Sequence, residues 1–171
     1  GGEARVRADK VYIVGFTSAG KTSLARELGR RLGWRVEDVD EGVEARERRS
    51  VAAIFAADGE PYFRAIERQV VQGLLGLREA VVATGAGTFV EPDLRALIRA
   101  DGAVFWIDVP LARLIGRLPQ DGSRPLARSR AELAQVFEAR RLAYAEAHVR
   151  LDGSRATVEE LADAVMDWLG A

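Results

Sequence analysis

Gly15-Phe16-Thr17-Ser18-Ala19-Gly20-Lys21-Thr22 sets two glycines, a lysine and a hydroxyl at the spacing G-x-x-x-x-G-K-[ST]. That is the spacing of a loop that wraps phosphate. The glycines let the backbone come close to phosphate oxygens, while loop N–H groups and the following helix N-terminus face the negative charge. Lys21 then reaches the β- and γ-phosphates of a nucleotide, and Thr22 offers its hydroxyl to Mg²⁺. Lys10 and Lys21 are the only lysines; every other cationic side chain is arginine. One of the two thus falls where a flexible ammonium serves better than a planar guanidinium.

Other residues carry chemistry that the loop lacks. Asp38 and Asp40 are open to two readings: helix caps, or a pair in which Asp38 holds Mg²⁺ waters and Asp40 takes a hydroxyl proton or hydrogen bond. Arg64 lies between Phe63 and Ile66, with Glu67 three residues on to hold it. Arg140-Arg141 and Arg124 complete the candidates. Arginine grips a planar anion with two parallel hydrogen bonds, so two of these beside Asp40 would suit a carboxylate-bearing substrate. By residue type alone, each is equally an ordinary surface arginine. The single histidine, His148, sits between Ala147 and Val149 and reads as structural. Cysteine is absent, which excludes disulfides, thiolate catalysis and zinc–thiolate centres.

The elements that must position these residues follow from periodicity. Val11–Val14 reads as a strand feeding the loop. A helix from Lys21 carries Leu24, Ala25, Leu28 and Leu32 inward and stops at Gly33. Trp34–Val39 is a second strand, and Glu41–Arg49 a charged helix. Ser50 caps a short helix with Val51, Ile54 and Phe55. Asp58-Gly59-Glu60-Pro61 breaks it and starts the next, whose inner face is Phe63, Ile66, Val70 and Leu74. Ala80–Thr84 is an apolar strand ending in Gly85-Ala86-Gly87. Pro92 opens a helix with Leu94, Leu97 and Ile98 inward. Val104–Val109 is the next strand, followed by a helix from Pro110 to Leu118.

The segment from Pro119 to Pro125 is rich in turn residues and reads as mobile. Ser129 with Glu132, and Thr157 with Glu160, are capping boxes for the last two helices, the first of which runs to about Ala147. Val149–Leu151 lies between them as the fifth strand. Such alternation gives one α/β domain over 1–171, with about five parallel strands and helices on both faces. Ligands in such sheets sit beyond the carboxyl ends of the strands, where the loop, the aspartates and Gly85–Gly87 all fall.

Taken in order, GFTSAGKT, DVD, IFAADGEPYFRAIE, ATGAG, SRPLA and EARRLAY resemble the motifs of the shikimate kinase family, over roughly Val11 to Trp168. The resemblance implies a three-layer P-loop kinase fold, ATP-dependent phosphorylation of the shikimate 3-hydroxyl in aromatic amino-acid biosynthesis, and Mg²⁺ as cofactor. It implies nucleotide contacts from Gly15, Ser18, Ala19, Gly20, Lys21, Thr22 and Ser23. Arg117 matches an adenine-stacking arginine, and Arg155, in the 152–156 loop, more weakly matches the adenine edge. Thr22 and Asp38 match the metal side. Asp40, Arg64, Arg140 and Gly85-Ala86-Gly87 match the shikimate side, with Phe55 and Phe63 as its apolar wall. The helices over about 41–76 would then carry the substrate, and a lid over about 119–128 would bring Arg124 onto the transferring phosphate. Lys21, Asp40 and Arg124 are the implied catalytic set.

Two departures from the family pattern stand out. Ala86 occupies the middle of a motif that usually has three glycines, and Ser18 replaces a frequent glycine. If Ala86 needs positive φ or close ligand approach, its methyl costs about 1–2 kcal/mol. Alternatives are a kinase for another small hydroxy acid such as gluconate, and a non-catalytic ligand sensor related to these kinases. The net charge of −1 offers no field for nucleic acid, and no apolar run reaches the ~18 residues of a membrane span. No signal-peptide pattern opens the chain. The expected setting is a cytoplasmic monomer acting on ATP and shikimate.

Overall fold

The computed structural model describes residues 5–118 and 130–171. The proposed lid, Arg124 and the Ser129 cap lie outside the described residues. Among the described residues five strands form one parallel sheet in the order β2-β3-β1-β4-β5. They are β1 (Lys10–Val14), β2 (Arg35–Asp38), β3 (Ala80–Ala83), β4 (Ala103–Asp108) and β5 (Val149–Asp152). Tyr12 of β1 stands level with Val82 of β3 on one side and Val104 of β4 on the other. Every residue of β1, β3 and β4 is buried. A strand buried at consecutive positions has both faces covered, which is why these three read as unbroken apolar runs. The outer strands, β2 and β5, alternate or stay exposed, as edges do.

Seven α-helices occur among the described residues: α1 (Lys21–Leu32), α2 (Val39–Glu47), α3 (Val51–Leu74), α4 (Pro92–Asp101), α5 (Leu111–Arg117) and α6 (Arg130–Tyr144) between strands, and α7 (Val158–Leu169) after the last. The Ser50 side chain accepts from the Ala53 N–H, capping α3, and Thr157 with Glu160 forms a reciprocal capping box on α7. The break expected at 58–61 is a kink within α3: Gly59 leaves helical geometry at φ 83°, and Pro61 opens the second segment. The kink brings the Phe55 and Phe63 rings to 4.9 Å between centroids.

Two expectations need correction. Leu97 is 40% exposed, not inward, because the buried stripe of α4 is only as wide as Leu94 and Ile98. β2 spans Arg35–Asp38 instead of 34–39, and α2 begins at once with Val39 instead of Glu41, which puts Asp40 in the first turn of that helix. Elsewhere, His148 is structural as expected: its Nδ1 accepts from the Val104 N–H at 2.9 Å, tying the start of β5 to β4.

Candidate active site at the carboxyl edge of the sheet

The phosphate loop leaves β1 at Gly15 and enters α1 at Gly20, whose φ of 99° is open to glycine and strained for other residues. The Lys21 ammonium folds back over the loop and donates to the carbonyls of Gly15 and Phe16, each at 2.8 Å. Ala19 is buried beneath the loop, and its N–H donates to the Phe16 carbonyl at 3.1 Å. Ser18 takes φ 65°, a left-handed conformation that a side chain disfavours. The backbone strain expected at Ala86 is therefore found at Ser18; Ala86 has no positive φ.

Asp38 does both of the things its residue type allows. One carboxylate oxygen caps α2 by accepting from the Glu41 N–H at 3.0 Å. The other accepts from the Thr22 hydroxyl at 2.8 Å. A hydroxyl and a carboxylate thus face the same cleft as Lys21, together with Ser18, Gly20 and Ser23. No cluster of three or more histidine, cysteine or acidic side chains with metal-binding geometry occurs among the described residues. The donor set fits an ion that keeps most of its water and takes phosphate oxygens, as Mg²⁺ does, and not one caged by protein.

Asp40 stands where two clefts meet. It borders the phosphate cleft, and with Ala86 it also borders a second cleft lined by Phe55, Phe63, Arg64 and Arg140. Glycine at 85 is what lets Asp40 sit there, since a Cβ at that position would lie 2.6 Å from Asp40 Oδ1. Gly87 has the same relation to Arg64, whose guanidinium occupies the space a Cβ would need.

Arg64 is held from several sides. Its Nη1 donates to both oxygens of Glu67, at 2.9 and 3.1 Å, and Glu60 accepts more distantly at 3.4 Å. Burial opposes its charge, but Glu67, Glu60 and Glu91 outweigh that and hold the guanidinium firmly protonated. Burial in turn pushes the Glu67 carboxyl up, against the pull of Arg64 and Thr88. Arg140 reaches the same cleft from α6. It is buried over the Phe16 ring, and its Nη1 has no hydrogen-bond partner among the described residues. A buried guanidinium nitrogen left unpaired is costly, and Arg140 lines the same cleft as Asp40 and Arg64.

The remaining candidates fall further out. Arg117 lies exposed at the end of α5, where its Nη1 donates to the Ser18 carbonyl at 3.4 Å, at the rim of the phosphate loop. Arg155 is exposed in the loop after β5, and no hydrogen bond or ion pair among the described residues joins it to either cleft. Arg141 turns away from its neighbour Arg140. It stacks over Trp106 and pairs with the buried Asp108 at 3.2 Å, which also holds Arg150 at 2.7 Å. Reading the sequence left out Thr88 and Tyr144, which bind the Gly85–Gly87 turn from behind. Thr88 meets the turn three residues away at Gly85 and reaches Glu67 21 residues away, while Tyr144 meets Ala86 58 residues away; no local spacing announces the two distant contacts.

The family model for shikimate kinase matches residues 17–170. A shikimate kinase of Thermosynechococcus vestitus is 37% identical over 170 residues, covering 98% of this chain and 91% of that protein. The crystal structure of shikimate kinase from Aquifex aeolicus superposes with a TM-score of 0.86 at 31% identity, over 94% of this chain and 96% of that one. Shikimate kinase from Acinetobacter baumannii, solved in complex with shikimate, gives 0.90 at 27% identity, over 95% and 93%. A loop with the spacing of a phosphate-wrapping turn, an adjoining carboxylate and a second cleft with two arginines thus occur in a chain that matches these kinases along nearly its whole length. It belongs to the shikimate kinase family.

Proposed function

We propose that the protein transfers the γ-phosphoryl group of ATP to the 3-hydroxyl of shikimate. The observation that carries this is the junction at Asp40: a phosphate-holding cleft and an arginine-bearing cleft share that carboxylate as a wall. Arg64 and Arg140 would grip the substrate carboxylate while Phe55 and Phe63 cover the ring. That leaves a hydroxyl beside Asp40, which orients it and takes its proton as the bond to phosphorus forms. Lys21 would leave its loop carbonyls for the β- and γ-phosphate oxygens. Such chemistry needs positioning and charge neutralisation more than covalent help from the protein.

Thr22 and Asp38 are the residues that would hold Mg²⁺. Bound there, the ion would neutralise phosphate charge and fix the nucleotide's orientation. The pairing of Thr22 with Asp38 at 2.8 Å supports this reading, since both groups already face the phosphate cleft. Gluconate also offers a carboxylate and hydroxyls, but the aromatic cover and two arginines favour a compact ring acid. A sensor role has less support, because Lys21, Thr22, Asp38 and Asp40 are all in place. Among the described residues no helix is long and apolar enough to cross a membrane. The reading extends to a cytoplasmic enzyme acting as a monomer, which light scattering in solution would test.

The deciding assay is ADP release with ATP, Mg²⁺ and shikimate, with gluconate as control. Release that depends on shikimate and not on gluconate is expected; release without shikimate dependence would reject the assignment.

A further inference from the structure

We propose that Thr88 and Tyr144 are positioning residues that clamp the Gly85–Gly87 turn as a spacer between Arg64 and Arg140, and so set the site's affinity for the substrate carboxylate; this rests on the shikimate reading above. The Thr88 hydroxyl uses both its donor and its acceptor. It donates to Glu67 Oε2 at 2.9 Å and accepts from the Gly85 N–H at 2.9 Å. Glu67 is the same carboxylate that takes two hydrogen bonds from Arg64. A continuous chain therefore runs from the turn's first amide, through Thr88 and Glu67, to one arginine.

On the other side the Tyr144 phenol donates to the Ala86 carbonyl at 2.5 Å. Tyr144 lies one turn along α6 from Arg140, on the same face of the helix. Burial holds the phenol above its ordinary value while the Arg140 guanidinium pulls it down, as befits groups that face each other. Thr88 and Tyr144 are both almost wholly buried, and neither lines the cleft. At Gly87 the Arg64 guanidinium fills the space a Cβ would need. Turn and arginines thus move as a unit. If either clamp is lost, the turn can shift, and the distance between the two guanidinium groups is no longer fixed.

A clamp that sets substrate affinity and a residue that merely supports the fold predict different kinetics. Loss of grip that the ground state and the transition state share raises one KM and leaves kcat alone. Thr88→Val keeps the shape and removes the hydroxyl; Thr88→Ser keeps the hydroxyl; Tyr144→Phe keeps the ring. Thr88→Val and Tyr144→Phe should each raise the shikimate KM about tenfold, with kcat and the ATP KM within about twofold of wild type. Thr88→Ser should stay near wild type. Thermal melting of each variant accompanies the kinetics.

An unchanged shikimate KM in cooperatively melting variants overturns the inference, as does a parallel rise in both KM values. If Thr88→Val fails to fold, Tyr144→Phe decides alone. A wild type that is active with shikimate but has insensitive clamp variants removes this inference and leaves the functional assignment standing. A wild type that releases no ADP with shikimate removes the assignment and this inference with it.

Discussion

Asp40 is the residue on which the two-substrate reading turns, because among the described residues it is the one acidic side chain that borders both clefts. Asp40→Asn changes charge without changing size, so the close approach to Gly85 survives. Its kcat with shikimate should fall about 10²- to 10⁴-fold, the range for a lost general base. ATP affinity measured by calorimetry should stay near wild type. Near-normal turnover would show that a hydroxyl can be oriented there without the carboxylate. Ser18 raises the opposite question, of strain and not of chemistry. A side chain in the left-handed region costs roughly 1–2 kcal/mol, while glycine loosens the unfolded chain by roughly 0.4–1 kcal/mol. The net for Ser18→Gly is a gain centred on about 0.8 kcal/mol, within a range of about 0 to 1.6, read as a higher denaturation midpoint. The family pattern marks both Ala86 and Ser18 as departures, and the backbone cost is attached there to Ala86. Only the path of the backbone through each turn tells them apart, and residue type does not encode that path.

Among the elements, α3 couples fold to site most directly. Its kink at Gly59 sets the angle between the segments that carry Phe55 and Phe63, and the Phe63 segment also bears Arg64 and Glu67. A Cβ at 59 meets nothing closer than Pro61 Cδ at 3.8 Å, so the cost of Gly59→Ala lies in the backbone, at φ 83°. With ψ at 174° this is a region essentially reserved for glycine, and the cost is about 1–3 kcal/mol. Relief by straightening would move the aromatic wall, so the shikimate KM should rise along with the loss of stability; an unchanged KM would mean the kink is incidental to the cleft. The kink was legible in Asp58-Gly59-Glu60-Pro61, as were the caps at Ser50 and Thr157, because each depends on neighbours within four residues. Leu97 was misplaced because periodicity gives the direction of a helix face but not its width. The split between Arg140, turned into the cleft, and Arg141, turned to Asp108, likewise depends on how α6 packs against β4. The spacing of adjacent arginines cannot supply that.

At the scale of the whole molecule the sheet separates chemistry from support. Both clefts lie at the carboxyl ends of the strands. At the opposite end, Lys10 is buried against Asp101 at 2.5 Å, Tyr12 donates to the same carboxylate at 2.6 Å, and Arg78 closes the group. His148 also serves the scaffold, and it gives the molecule a titration that can be isolated, since the sequence holds no other histidine. Burial, and the charge of Arg99 nearby, hold its imidazole below the ordinary histidine value. The folded protein therefore prefers the neutral ring, whose Nδ1 accepts the Val104 N–H. A depressed folded pKa means that the unfolded chain binds the proton first as pH falls, so this stabilisation is complete above about pH 6.5 and is lost as pH drops through the folded value. Glu67 contributes with the opposite sign at lower pH, because burial raises its carboxyl. A raw slope of stability against pH would mix the two, whereas a variant comparison separates them. His148→Asn can keep an acceptor for Val104 without titrating. Urea unfolding of wild type from pH 8 to 5 should show a decline that this variant lacks. Equal slopes in both proteins would place the pH sensitivity elsewhere and leave the β4–β5 junction indifferent to protonation.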